Sequence, residues 1–384
     1  MTINSDSLID SAPPSVALFF SHGTTLQAWD QGGLFDREVG YYRHLQHHLG
    51  KITFVTYDHP SATAVALTNR LKPISVLWNS WRLHYRFFGI LAPFIHYRSL
   101  KRYSLFKTNQ ISGAWTGVIA KWLLRKPLVV RSGYIWSQFA ALSGKRGLRG
   151  RLVPIVEHFV LKAADVILVA TEADKEYVLA KHHLSPDNVC VLPNPIDTET
   201  FSPDSAIAKE RGLVTYVGRL APQKNLGILI EAVLQVPEAR LLIAGSGPEE
   251  PYLRSVAGSS DRVEFSGSIP NREVPKVLNR SEVFVLPSSY EGSPKALLEA
   301  MACGLPVIGA SAPGIKNVIT NGSNGLISEL IPEKLAANIK RLLADVDLRD
   351  ELGLEARRQV VENHSASAVA AKEASILAEI AVRR

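Results

Sequence analysis

Two short segments of this chain combine cations, carboxylates and turn residues in a pattern suited to a charged, hydroxyl-rich ligand. The first is Gly218-Arg219-Leu-Ala-Pro-Gln-Lys224-Asn225, a turn carrying two cations ahead of a helix expected from about Leu226. Arg219 and Lys224 could clamp one diphosphate, arginine through its planar fork and lysine as a point charge. A surface loop with two solvated charges would read the same. The second segment runs Pro287-Ser-Ser-Tyr-Glu291-Gly292-Ser293-Pro294-Lys295 and continues through Glu299 to Gly304. Gly292 frees the turn, Pro294 suits the first helical position, and the N–H groups that open a helix make an anion site. Glu291 precedes that helix and Glu299 lies about two turns inside it, roughly 12 Å away along the axis at about 1.5 Å per residue. This spacing fits the two ends of one long ligand better than a single acid–base pair. Carboxylates accept hydrogen bonds from hydroxyls, so a nucleotide sugar matches. A capping acid with a solvated helix glutamate is the plainer alternative.

Other constellations carry less. Gly245-Ser246-Gly247 begins like a dinucleotide fingerprint but has Glu250 in place of the third glycine, which argues against NAD. Asp345-Val346-Asp347 spells a metal-binding carboxylate pair, yet it follows a helical pattern over 335–344 and reads as a solvated helix end. His44 and His48 share a helical face without the acid of a zinc-protease motif. Cys190 and Cys303 are the only cysteines, which excludes a disulfide framework and any multi-cysteine metal site, and Cys303 reads as core. The expectation is no metal and no cofactor.

These segments need a scaffold. A chain of 384 residues implies two domains. With 46% apolar and 21% charged residues, it has the composition of an ordinary globular protein. Short β-branched runs at 16–21, 52–57, 74–78, 103–108, 128–131, 166–170 and 189–192 alternate with helical patterns. A second series follows at 213–217, 240–244, 263–265, 283–286, 306–309 and 326–328. That alternation predicts parallel α/β sheets, and ligands then bind in the loops after the strands. The proline-rich 192–203 reads as a linker. The expected domains are 1–193, 194–364 and a terminal helix over 365–384 whose packing partner the composition does not name.

The formal net charge of +7 is unevenly placed, at +8 in residues 1–200 and −1 in 201–384. Residues 39–156 hold 18 basic residues and one acid, Asp58, so an anionic partner is expected. From Trp78 to Tyr103, Arg82, Arg86, Arg98, Lys101 and Arg102 are interleaved with eight aromatic residues. Rings sit at a membrane interface and basic side chains meet anionic headgroups, so the stretch suits an anionic membrane surface better than nucleic acid. The first twenty residues place no Lys or Arg ahead of their apolar run, so no export signal is expected. The apolar stretch 87–95 is too short to span a bilayer.

The motifs Tyr216-Val-Gly-Arg-Leu-Ala-Pro-Gln-Lys-Asn, Ala244-Gly-Ser-Gly-Pro, Val263-Glu-Phe-Ser-Gly and Val285-Leu-Pro-Ser-Ser-Tyr-Glu-Gly-Ser-Pro-Lys-Ala-Leu-Leu-Glu, in this order and spacing over about 191–330, resemble the donor domain of retaining GT-B glycosyltransferases of family 4. The resemblance implies two Rossmann-like doubly wound domains facing a cleft. The first would bind the acceptor and the second the donor. It also implies that Glu291 holds hydroxyls of the transferred sugar, that Glu299 holds the ribose, and that Arg219 and Lys224 hold phosphates. Gly218 and the backbone of Gly292, Ser293, Pro294 and Lys295 would complete the donor site, with Gly32 and Gly33 facing the donor from the first domain. Where the family commonly has a histidine, this chain has Arg131-Ser-Gly-Tyr134; Arg131, Tyr134 and Asn109 are taken as acceptor- or sugar-facing residues.

The expected function is that of a retaining, metal-independent, hexosyltransferase-type enzyme. It would move a sugar from a nucleotide diphosphate sugar to a lipid-linked or membrane-associated acceptor in polysaccharide or glycolipid assembly. The base is not legible in these residues, and a UDP-sugar is carried forward as donor. The expected location is the cytoplasm, at the inner face of the membrane. A soluble small-molecule acceptor is the alternative, as is a nucleotide-sugar epimerase or binding protein of the same fold.

Overall fold

The computed structural model describes residues 12–133 and 148–382. The chain divides into two compact units, one formed by Met1–Pro193 with Val369–Arg384 and the other by Asn194–Ala368. The divide at Pro193 falls in the proline-rich segment.

Among the described residues the first unit holds seven strands: β1 (Ser15–Phe19), β2 (Lys51–Val55), β3 (Ser75–Leu77), β4 (Leu105–Thr108), β5 (Leu128–Ser132), β6 (Val166–Val169) and β7 (Val189–Val191). They form one parallel sheet in the order β3-β2-β1-β4-β5-β6-β7. Strand order reverses between β1 and β4, which pair from Val16 opposite Leu105 to Phe19 opposite Thr108. The central strands are short, apolar and almost wholly buried, because helices cover both faces of a parallel sheet. Helix starts follow local capping chemistry. Thr25 accepts from the Ala28 N–H at 3.0 Å and Thr171 from the Asp174 N–H at 3.0 Å. The helix Leu26–Gln31, opened by Thr25, lies between β1 and the Gly32-Gly33 pair, where sequence reasoning expected only a loop. It is a single short turn set, too brief for a periodicity signal.

The second unit carries β8 (Leu213–Val217), β9 (Arg240–Ala244), β10 (Val263–Gly267), β11 (Val283–Leu286), β12 (Val307–Ala310) and β13 (Leu326–Ser328). Their order is β10-β9-β8-β11-β12-β13, parallel throughout, with the reversal between β8 and β11. Tyr216, Leu229, Phe284, Met301 and Leu352 belong to one continuous core that joins sheet to helices. Asp345 accepts from the Leu348 N–H at 2.9 Å and so caps the helix Val346–His364, whose first turn holds Asp347.

The terminal helix Ala366–Val382 passes from the second unit into the first, where its residues from Val369 belong. Its anchor is Glu373, fully buried beside Lys107 of β4 at 3.1 Å and Arg131 of β5 at 3.6 Å. The Tyr41 hydroxyl donates to Glu373. Burial alone would raise the Glu373 carboxyl, but the charges of Lys107 and Arg131 outweigh it and hold the group below its ordinary value.

Candidate active site

In the second unit the functional segments gather where strand order reverses, at the carboxyl ends of β8 and β11. This is where open α/β sheets bind ligands. The turn after β8 is shaped by Tyr216, whose buried hydroxyl donates to the Arg219 carbonyl at 3.0 Å. Arg219 is exposed on that turn and Lys224 is half-buried. Four contacts stitch this loop to the one after β11, among them a bond from the Ser289 hydroxyl to the Gln223 carbonyl at 3.2 Å. The Asn225 side-chain amide donates to the Pro287 carbonyl at 2.9 Å, the Ser289 N–H donates to the Gln223 carbonyl at 2.9 Å, and the Lys224 ammonium pairs with the Glu291 carboxylate. Lys224 and Glu291, 67 positions apart, thus meet at one point. Glu291 is held from its other side by its N–H bond to the Pro313 carbonyl at 3.1 Å.

Gly245 and Gly247 have a packing role. A Cβ at Gly245 would lie 1.8 Å from the Gly218 carbonyl oxygen, and one at Gly247 would lie 2.1 Å from that of Leu220. Only glycine lets the loop after β9 close onto the loop after β8, so the Gly-Ser-Gly run braces the Arg219 turn.

Two local expectations are corrected. Pro294 is the residue before the helix, with φ −79° and ψ 76°, and the helix runs Lys295–Ala302. The Lys295 N–H donates to the Ser293 carbonyl at 2.9 Å, so this amide is already used inside the turn. Gly292 is exposed and Ser293 half-buried. Glu299 was expected as a helix-surface carboxylate, but it is only 7% exposed. The helix is short and packed on the core through Leu297, Leu298, Ala300 and Met301, and that packing takes Glu299 in with it. Cys303, at the end of this helix, is buried, and burial pushes its thiol up to about 12, with the Glu299 charge adding to the shift.

In the first unit Gly32 and Gly33 are exposed between two helices, and Gly33 has φ 67°. Asn109 and Arg131, expected to face a ligand, already have protein partners. The Tyr42 hydroxyl and the Lys107 ammonium, the latter at 3.3 Å, both donate to Asn109. Arg131 is 8% exposed, donates to the Pro193 carbonyl at 3.1 Å, and lies 5.6 Å from the centre of the Tyr41 ring. Both belong to the network around Glu373. Tyr134 lies outside the described residues.

The aromatic and basic stretch forms the helix Tyr85–Ile95 and its flanks. Phe88, Gly89, Ala92 and Pro93 face inward, while Phe87, Ile90, Leu91 and Phe94 are exposed, Phe87 by 62% and Phe94 by 53%. Arg82, Arg86, Arg98, Lys101 and Arg102, on this helix and the chain that flanks it, are all exposed. Among the described residues no helix is long and apolar enough to cross a membrane, and no group of three or more His, Cys, Asp or Glu is placed to hold a metal ion.

Sequence reasoning missed His22, in the loop after β1. Its ring stands 5.0 Å from that of Tyr85 and 4.7 Å from that of Trp115. A lone histidine carries no spacing signal, and the aromatic residues around it are up to 93 positions away.

Comparison with known proteins agrees with this architecture. The family Glycosyl transferases group 1 matches residues 197–359, and the Glycosyl transferase 4-like domain matches residues 41–195. The alpha-maltose-1-phosphate synthase of Mycolicibacterium smegmatis is 27% identical over 254 residues, covering 59% of this chain and 66% of that protein. The UDP-Gal:alpha-D-GlcNAc-diphosphoundecaprenol alpha-1,3-galactosyltransferase of Escherichia coli is 30% identical over 256 residues, covering 61% and 65%. The matched stretch thus spans less than two thirds of these curated relatives. The crystal structure of Anabaena HepE in complex with UDP and glucose superposes with a TM-score of 0.74 at 18% identity, over 95% of this chain and 100% of that one. With both halves matched in order and two parallel-sheet units of the GT-B kind, the chain belongs to the group 1 glycosyl transferases, the family 4 glycosyltransferases.

Proposed function

We propose that the protein is a retaining, metal-independent glycosyltransferase that moves a hexosyl group from a nucleotide diphosphate sugar to a membrane-associated, lipid-linked acceptor. The observation that carries the reading is the Lys224–Glu291 pair at the strand-order reversal of the second unit, with Arg219 exposed on the same loop as Lys224. As the glycosidic bond breaks, the leaving diphosphate gains negative charge, and Arg219 and Lys224 stabilise it. Glu291, oriented by Lys224, accepts hydrogen bonds from sugar hydroxyls, and Glu299 serves the ribose. Gly218, Gly292, Ser293, Pro294 and Lys295 shape the donor site. UDP is the favoured nucleoside diphosphate because HepE, of the same fold, is described with UDP. The test is release of UDP from UDP-sugars only when acceptor is present, with the anomeric configuration of the product read by NMR. Activity is expected to survive excess EDTA; a requirement for added Mn²⁺ or Mg²⁺ would overturn the metal-independent mechanism.

For Glu299, glutamine is the informative replacement, because it keeps the volume of a buried side chain. Glu299→Gln is expected to raise the donor KM roughly tenfold, the loss of about 1.4 kcal/mol of charge-assisted hydrogen bonding. An unchanged donor KM would remove Glu299 from the site.

The exposed face of the helix Tyr85–Ile95 supports the membrane part of this reading. Five cations around it, at about 1 kcal/mol each, would contribute about 5 kcal/mol before screening, enough for reversible docking. Binding to vesicles is expected to need anionic lipid and to weaken between 0.1 M and 1 M salt, as the Debye length falls from about 10 Å to about 3 Å. Arg98→Glu, Lys101→Glu and Arg102→Glu together should abolish it while UDP binding persists. Failure to bind anionic vesicles at low salt, or equal binding to neutral vesicles, would remove the main support for the lipid-linked acceptor and favour a soluble one. That second reading draws on the alpha-maltose-1-phosphate synthase relative, whose name specifies a phosphorylated small molecule.

A further inference from the structure

Arg219 and Lys224 are supported in different ways. Lys224 has a side-chain partner in Glu291, whereas among the described residues the exposed Arg219 guanidinium has neither an ion pair nor a hydrogen bond. A long side chain without a partner takes its aim from the backbone that carries it, because each of its own torsions is free to choose among staggered rotamers. What fixes the backbone at Arg219 therefore decides where the charge stands.

The residues on either side of Arg219 are tied to the loop after β9. The Gly218 N–H donates to the Ala244 carbonyl at 2.9 Å, the Leu220 N–H donates to the Ser246 carbonyl at 3.0 Å, and the Leu220 carbonyl accepts from the Glu249 N–H at 3.2 Å. The Arg219 carbonyl between them is held by the Tyr216 hydroxyl at 3.0 Å, the one side-chain hydrogen bond to residues 218–221 among the described residues. Tyr216 is wholly buried on β8 and belongs to the core of the second unit, so its ring is fixed by packing rather than by the loop. A Cβ at Gly218 would stand 2.7 Å from the hydroxyl oxygen, which places that oxygen directly beneath the turn. Burial, and then the charge of Glu291, push the phenol up, so it keeps its proton and stays a donor. Phenylalanine would fill the same core space without the cost of burying a hydroxyl, and the hydroxyl bonds nothing but the Arg219 carbonyl among the described residues.

We propose that Tyr216 is a positioning residue for glycosyl transfer: its hydroxyl fixes the Arg219 peptide against the sheet and so aims the guanidinium at the diphosphate of the donor. This rests on the transferase reading above, which puts Arg219 on the diphosphate, and adds the group that sets its direction. Tyr216 touches no substrate and acts only through Arg219. Without the hydroxyl the carbonyl loses its donor, the turn can rotate, and the cation spreads over more orientations.

The experiment measures diphosphate affinity by isothermal titration calorimetry, which needs no acceptor. The full chain is titrated with UDP, GDP and ADP, and the tightest binder is carried through wild type, Tyr216→Phe, Arg219→Ala and the double variant. Tyr216→Phe keeps the ring and its packing, and melting temperatures recorded for all four proteins confirm folding. Arg219→Ala is expected to weaken binding about tenfold or more, and Tyr216→Phe roughly three- to tenfold. The double variant should bind within about twofold of Arg219→Ala alone, because a hydroxyl that acts through Arg219 then has nothing to aim. A merely structural tyrosine would weaken both backgrounds equally. Such equal weakening overturns the proposal, as does wild-type affinity in Tyr216→Phe when Arg219→Ala binds weakly. Wild-type affinity in Arg219→Ala removes the arginine from the site and this inference with it, while failure of all three diphosphates to bind the wild type overturns the transferase reading itself.

Discussion

Arg219→Ala and Lys224→Ala are each expected to lower kcat/KM by roughly 10²-fold, because a charge-assisted contact to charge that develops in the transition state is commonly worth about 2.7–4 kcal/mol. The two substitutions should differ in their coupling. Arg219 is exposed on its turn, so its loss removes a contact to the ligand and little else. Lys224 is paired with Glu291, so its removal also frees that carboxylate to turn or to repel a diphosphate. In a double-mutant cycle, Lys224→Ala and Glu291→Ala should therefore be strongly non-additive, while Arg219→Ala with Glu291→Ala should be closer to additive. Initial rates at varied donor concentration measure both. Single variants with near wild-type kcat/KM would show that these cations are solvated surface residues.

The second large effect concerns the terminal helix. Glu373→Ala is expected to lower stability by about 3–5 kcal/mol, since breaking a buried pair strands the remaining charges. Here those charges are Lys107 at 3.1 Å and Arg131 at 3.6 Å, both nearly or wholly out of solvent. Denaturant unfolding followed by tryptophan fluorescence measures the loss. A Lys107→Met, Glu373→Leu double variant should recover much of it, because two apolar side chains of similar size remove the central charges and leave Arg131 and the Tyr41 hydroxyl to be resatisfied. The pH dependence has a definite sign. The folded Glu373 carboxyl is held below its ordinary value, so its contribution is complete above the unfolded carboxyl pKa of about 4.3 and is lost as the pH falls through the lower folded value. The wild type should thus weaken more steeply below about pH 4.3 than the double variant does. Equal acid sensitivity would mean that the pair is not the anchor.

Local signals were legible wherever one segment carries its own pattern. The β-branched runs became strands because a parallel sheet buries both faces and selects short apolar stretches. The Arg219, Lys224 and Glu291 loops were legible because glycine, proline and charge stand close together in the chain. Asp345 read as a helix end because it follows the helical pattern over 335–344, and it does stand at that boundary, where it also caps the next helix.

The features that escaped are long-range. The alanine-rich segment after 365 reads as a helix, but its partner is set by Lys107, some 266 positions away, and by Arg131; a buried Glu–Lys pair leaves no local trace. Glu299 looks like a surface carboxylate in sequence and is buried, because exposure depends on what packs across the helix rather than on helical position. His22 carries no motif, and its surroundings come from Tyr57, Tyr85 and Trp115, which only folding brings together. Sequence alone therefore determined the two-domain parallel α/β class and the loops that carry charge, because these rest on short-range periodicity and spacing, while the family entered as a resemblance carried by the motifs themselves. The tertiary structure decided which carboxylates are buried, which cations are already paired and which aromatic rings pack around His22, because each of these depends on distances between residues far apart in the chain.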